Sequence, residues 1–273
     1  MDFGLWTLDF GLEFPITNYN ADIYDFMHRG TLQGDVEWYC RKAVESGGPV
    51  LELGAGTGRV TIPIAEAGIR VSAVDLDAGM LDKLRQKAAT LPDEARSRVT
   101  VHQGDMRSFA LDEQYALVII PFRAFLHNIT RDDQLATLRR AHAHLRPGGE
   151  LALNVFHPSL QYMSANAGAY AGVWRWRKTV TLPDGRFVVY SEASRYNTVR
   201  QRLESMIRAE EFGADGSLLL TNMMHLELAY LYPSDIASLL EASGFEPPRI
   251  SGDFHGRAFE RDGDELVVEA RKP

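Results

Sequence analysis

Cysteine is nearly missing from this chain. Cys40 is the single one among 273 residues, so no intramolecular disulfide framework can hold the fold together. Long basic runs are missing too, and the formal net charge is −8 at pH 7. The average field therefore repels a nucleic-acid backbone or an anionic membrane, and a small neutral or cationic substrate suits it better. No apolar run has the length needed to span a bilayer. The opening MDFGLWTLDFGLEF has neither a positive n-region nor a small-residue cleavage site, unlike a secretory signal. No internal repeat, low-complexity linker or close-spaced His/Asp/Glu ligand cluster is visible. The expectation is a cytoplasmic globular protein with no metal, nucleic acid or membrane partner, acting on a small molecule.

What the chain does have is order. From Pro49 to Phe156, short β-rich runs alternate with longer helix-like runs. Strands are expected at Val50–Leu53, Arg70–Val74, Val99–His102, Ala116–Ile120 and Glu150–Phe156, with helices near Val60–Ala67, Met80–Thr90 and Asp132–Leu145. Such alternation implies parallel pairing through right-handed crossovers, hence a doubly wound α/β sheet. The unbroken apolar run ALVII at 116–120 reads as a strand buried on both faces. Asp77 stands where an N-cap opens a helix. Gly68 and Pro147-Gly148-Gly149 stand where helices stop.

After His157-Pro158 the character changes. Segments at Phe187–Thr198, Arg200–Phe212 and Ser217–Tyr232 read as long antiparallel strands, with turn signals at Pro183-Asp184-Gly185 and Gly213–Gly216. A helix at Ser234–Ala242 and strands around Arg249–His255 and Glu265–Ala270 close the chain. The expected organisation is a nucleotide-type domain over 1–157 and 233–273, with a helical N-terminal lid (1–48) and a β insertion at 158–232.

The chemistry gathers at strand ends. Glu52-Leu53-Gly54-Ala55-Gly56-Thr57-Gly58 leaves the first strand and enters a helix. Gly54 and Gly56 permit a sharp turn and close backbone approach to a ligand, and the helix N-terminus offers free N–H groups to an anion. The spacing is G-x-G-x-G. A dinucleotide fingerprint wants a small residue where Arg59 stands, which weighs against a nicotinamide dehydrogenase. Asp75 ends the second strand 21 residues after Gly54, a position from which a carboxylate accepts from both hydroxyls of a ribose. Gly104-Asp105-Met106 follows the third strand. Asp105 is read as an acceptor for an adenine amino group or as an ordinary loop residue.

Together ELGAGTG, VSAVDLDAGML, VHQGDM and RPGGEL, in this order over residues 50–156, resemble the motifs of class I S-adenosylmethionine (AdoMet)-dependent methyltransferases. The resemblance implies a seven-stranded, mostly parallel sheet closed by a C-terminal β-hairpin, with AdoMet as cofactor and S-adenosylhomocysteine as product. It implies that Gly54, Ala55 and Gly56 approach the methionine part and that Asp75 and Leu76 meet the ribose side. Met80, Asp105 and Met106 would surround the adenine, and Pro121 with Phe122 would border the site. Ile23–His28, Gly34-Asp35 and the insertion are similar to the small-molecule N-methyltransferases, among them the amino-sugar N,N-dimethyltransferases and the glycine/sarcosine methyltransferases. That likeness places Tyr24 near the cofactor and Tyr19 or Asn20 near the acceptor, under a lid.

Acceptor-facing candidates follow the fourth strand. His127 can orient a nucleophile or take its proton, or can be a histidine packed near a helix start. Arg123 can bind an acidic group or make a surface ion pair. His157 ends the fifth strand. Trp174 and His225 lie in the insertion, among Trp176, Tyr190, Tyr196, Tyr230 and Tyr232, which are read as sheet core or as pocket wall. The expectation is methyl transfer to a small-molecule acceptor, with nitrogen favoured. An O-methyltransferase with a histidine base and a non-catalytic AdoMet-binding module stay open, as does a homodimer through the added sheet.

Overall fold

The structure is a computed structural model and describes residues 21–28 and 31–273. Tyr19 and Asn20 lie outside the described residues. Helices α1 (Ala21–His28) and α2 (Asp35–Ser46) lead to β1 (Val50–Leu53), α3 (Thr61–Glu66), β2 (Val71–Asp75) and α4 (Ala78–Ala89). A short α5 (Asp93–Arg96), β3 (Val99–Gln103), β4 (Tyr115–Ile120), α6 (Arg131–His144) and β5 (Leu145–Phe156) follow. The insertion carries α7 (Leu160–Ala165), β6 (Arg175–Thr181), β7 (Phe187–Asn197), β8 (Arg202–Phe212) and β9 (Leu218–Ala229). The chain then returns through α8 (Pro233–Glu241), β10 (Arg249–Ser251) and β11 (Glu265–Arg271).

The main sheet has seven strands in the order β10-β11-β5-β4-β1-β2-β3. The strands β5, β4, β1, β2 and β3 run parallel to one another, and β11 is antiparallel to both β5 and β10. This is the mostly parallel α/β sheet with a closing hairpin that the motifs imply. The apolar run of β4 has the expected cause: Val118 and Ile120 enter the core beneath α6 and α8, while Leu117 and Ile119 enter the core beneath α2 and α3. A strand covered on both faces has no position to leave polar.

Three differences from the sequence reading have local causes. The strand β6 is mostly charged and polar, and the helix α7 (LQYMSA) is under two turns long, so neither shows a period. The glycines after α6 do not form a separate stop, because β5 starts at once and Gly149 lies where the β4–β5 pairing shifts register between Tyr115 and Leu117. The strand β10 ends at Ser251 rather than His255, since the chain turns back there and Ser251 bridges to Ala258. The insertion is a separate antiparallel sheet, β6-β7-β8-β9, whose central hairpin stays in register from Phe187↔Phe212 to Asn197↔Arg202. Among the described residues no helix is long and apolar enough to cross a membrane.

Candidate active site

Strand order reverses direction between β1 and β4, so the loops leaving their C-terminal ends diverge and open a crevice. On the β1 side, Gly54, Gly56 and Gly58 all have positive φ, at 75°, 55° and 82°. A Cβ at Gly56 would meet only Met80 Cε, at 3.8 Å, so that face of the loop is open to a ligand. The other two glycines serve protein contacts. At Gly54 a Cβ would stand 2.6 Å from Ala124 Cβ, and at Gly58 it would stand 2.2 Å from Leu84 Cδ1 of α4. Gly58→Ala is therefore expected to destabilise by about 2–4 kcal/mol through overpacking and left-handed strain, read as a fall in Tm. An unchanged Tm would show that α4 packs less tightly on the loop than this.

At the end of β2, Asp75 accepts from Gly56 N–H (2.7 Å) and Asp77 N–H (2.9 Å). Partial burial raises its pKa, and the two backbone donors oppose that rise. Each oxygen thus holds the loop and keeps a lone pair for a further donor. Asp77 takes the N-cap role, accepting from Met80 N–H at 3.0 Å. Leu76, beside Asp75, is 66% exposed, whereas Met80 is 4% exposed beneath the loop. Asp105 is forked by Arg107, which also reaches Asp133, and this pairing holds the Asp105 carboxyl below its ordinary range. Its neighbour Met106 offers sulfur to Asn128 Nδ2 at 3.3 Å.

On the β4 side, Pro121 leads into a turn where Phe122 and Arg123 both adopt left-handed backbone, φ 53° and 66°. A single 3₁₀ turn, Ala124–His127, follows. His127 is solvent-exposed, yet the surrounding protein lowers its pKa while Asp75 pulls it upward. His127 and Asp75 each shift the other's titration, which puts the two residues near one another at this end of the sheet. Arg123 forks Glu265 on β11 (2.7–3.2 Å) and lies over the Phe156 ring.

The helix α1 crosses above this loop. Asp25 accepts from Thr57 Oγ1 at 2.5 Å and pairs with Lys87 on α4. The His28 ring stands edge-on to Phe122 (5.1 Å) and beside Tyr24 (4.4 Å). Burial, with Lys178 of β6 and Arg59 nearby, lowers the His28 pKa to about 4. Arg59 lies 4.5 Å over the Phe122 ring and forks Asp35, itself 1% exposed, at 3.1 and 2.5 Å.

The insertion sheet turns one face to the crevice. Tyr162, Tyr196, Tyr230 and Tyr232 form a row with centroids 5.7–6.0 Å apart, ending on His157, which also packs on Phe259. Burial, with Tyr162 and Glu192 nearby, raises the Tyr196 pKa, while Arg123 opposes the rise from the crevice side. Glu192 collects Arg177, Ser194 and Ser205. Two expected residues fall elsewhere. Register pairs His225 with Met206, on the face opposite Tyr196, and its ring is exposed. Trp174 stacks on Arg208, on that same outer face.

A methyltransferase-domain family matches residues 50–149, which span β1 to the start of β5. The chain is 27% identical over 235 residues to a cypemycin N-terminal methyltransferase from Streptomyces sp, covering 86% of this chain and 87% of that protein. The chain carries a methyltransferase domain and is an AdoMet-dependent methyltransferase. The solved CcbJ methyltransferase from Streptomyces caelestis is 28% identical and superposes with a TM-score of 0.72, over 88% of this chain and 96% of that one. The glycopeptide N-methyltransferase MtfA, solved with S-adenosylhomocysteine, is 25% identical with a TM-score of 0.57, over 88% and 87%.

The methyltransferase's own residues fit its cofactor. Gly56 leaves open space, Asp75 keeps free lone pairs, and Leu76 exposes an apolar side chain beside it that a bound base would cover. Among the described residues no His/Cys/Asp/Glu group is arranged to hold a metal ion.

Sequence reading missed the residues behind the walls. Asn154 is fully buried and accepts from Tyr39 Oη and Phe122 N–H while donating to Glu265. Asp35 anchors Arg59. Glu52 is 2% exposed, accepts from Thr61 and has its pKa raised to about 7 by burial. The one available signal was polarity in the wrong place: Glu52 interrupts the otherwise apolar β1, and Asn154 interrupts the apolar run over 151–156 at the end of β5.

Proposed function

We propose that this methyltransferase places a methyl group on the nitrogen of a small-molecule amine. The observation that carries this reading is the match over 86% of the chain to a relative named as an N-terminal methyltransferase. The exposed His127 on the crevice wall supports it chemically.

Bound AdoMet supplies an electrophilic methyl on sulfonium. A primary or secondary amine that receives the methyl group would be left with a proton to lose from its nitrogen. His127, whose pKa the surrounding protein lowers, can take that proton directly or through water. Asp75, the glycine loop and Leu76 hold the cofactor. The α1 helix, with Tyr24 and His28, covers it and excludes water. The acceptor is assigned to the space between the turn after β4 and the tyrosine face of the insertion. No hydrogen bond among the described residues reaches the Tyr196 hydroxyl, so it is available to an acceptor polar group.

A methyl-transfer screen with labelled AdoMet over amines, N-terminal peptides and hydroxyl compounds tests the reading. With a productive amine in hand, His127→Ala is expected to lower turnover about a hundredfold while S-adenosylhomocysteine affinity stays within about threefold of the parent. Labelling confined to hydroxyl compounds would overturn the nitrogen assignment. Undiminished turnover in the variant would remove His127 from the chemistry.

A further inference from the structure

We propose that Asn154 is a positioning residue for methyl transfer: buried behind the crevice on β5, it sets the turn after β4 and thereby the wall of the cofactor site. The proposal does not depend on which atom accepts the methyl group.

Phe122 and Arg123 are consecutive non-glycine residues in left-handed backbone, a conformation that persists only where the surroundings over-determine it. The surroundings are specific. Asn154 Oδ1 accepts from Phe122 N–H at 2.8 Å, and Tyr39 Oη donates to the same oxygen at 2.8 Å. Its Nδ2 donates to Glu265 Oε1 at 2.6 Å, and Glu265 in turn forks the Arg123 guanidinium. One amide therefore holds the backbone of the first strained residue directly and the side chain of the second through a carboxylate. Asn154 has zero exposure, so it cannot touch cofactor or acceptor.

The turn it fixes touches every other part of the site. Ala124 Cβ stands 2.6 Å from the place a Gly54 Cβ would occupy. His127 is electrostatically coupled to Asp75. Asn128 holds Met106. Phe122 carries Arg59 on one side and His28 of the α1 lid on the other. A small rotation of the turn would displace glycine loop, ribose carboxylate wall, adenine loop and lid together.

Calorimetric titration with S-adenosylhomocysteine, well below each variant's Tm, separates positioning from simple stabilisation. Asn154→Ala should lose about tenfold or more in affinity. Tyr39→Phe, which removes a buried hydrogen bond from the same amide but leaves the Phe122 bond, should lower Tm yet keep affinity within about twofold. If Asn154→Ala binds within about twofold of the parent, the proposal is overturned. Should Asn154→Ala fail to fold, Glu265→Gln decides: the Asn154 bonds can persist while the Arg123 fork loosens. A loss of about threefold or more then supports the assignment, and unchanged affinity overturns it.

Discussion

Replacing Asp75 by alanine is expected to weaken S-adenosylhomocysteine binding about a hundredfold, since two hydrogen bonds to a charged group at about 1.5 kcal/mol each amount to about 3 kcal/mol. The position of the carboxylate makes the effect large. Its oxygens already accept from Gly56 and Asp77 N–H groups, which point the remaining lone pairs outward and tie the β2 end to the glycine loop. Alanine removes the ribose acceptors and frees the loop together. Asparagine is expected to rescue little, because its amide N–H would face one of two backbone donors that cannot turn away. Calorimetry gives the affinity, and a parallel melt without ligand gives the share due to loop stability. A loss below about threefold would take Asp75 out of the cofactor site.

How far the sequence could reach is set by which physics is local. The glycine loop, Asp75 and the Asp77 cap were legible because each answers to its immediate neighbours: a turn, a strand end, an orphan N–H. The strand β4 was legible because burial on both faces leaves an unbroken apolar run. By contrast, Asn154 draws its importance from Tyr39, Phe122 and Glu265, 115, 32 and 111 residues away along the chain. No window contains such a network. Arg123 shows the same limit from the other side. Its sequence admitted a substrate carboxylate or an ion pair, and Glu265 from β11 occupies its guanidinium. In the insertion, alternation gave the strands but not the face. Tyr196 on β7 and His225 on β9 flank β8 in the same sheet, yet pleat and register turn the tyrosine inward and the histidine outward.

Glu52 leads to a prediction about stability rather than binding. Full burial raises its carboxyl from 4.5 to about 7, against opposing help from Thr61 and Arg59. Between those values the folded protein keeps a proton that the unfolded chain has released. The folded state binds more protons there, so stability must fall as pH rises through the window. Below about pH 4.5 the penalty is absent, and above about pH 7 it is complete, on the order of 3 kcal/mol. Glu52→Gln keeps an oxygen for the Thr61 hydroxyl, which donates at 2.5 Å, and removes the ionisation. Its Tm should therefore match the parent near about pH 5 and exceed it by several degrees near about pH 8. Comparing the two proteins at each pH cancels every other titrating group. A Tm difference that stays constant across the range would mean that Glu52 is ionised in the folded methyltransferase throughout, held by Arg59 rather than by its proton.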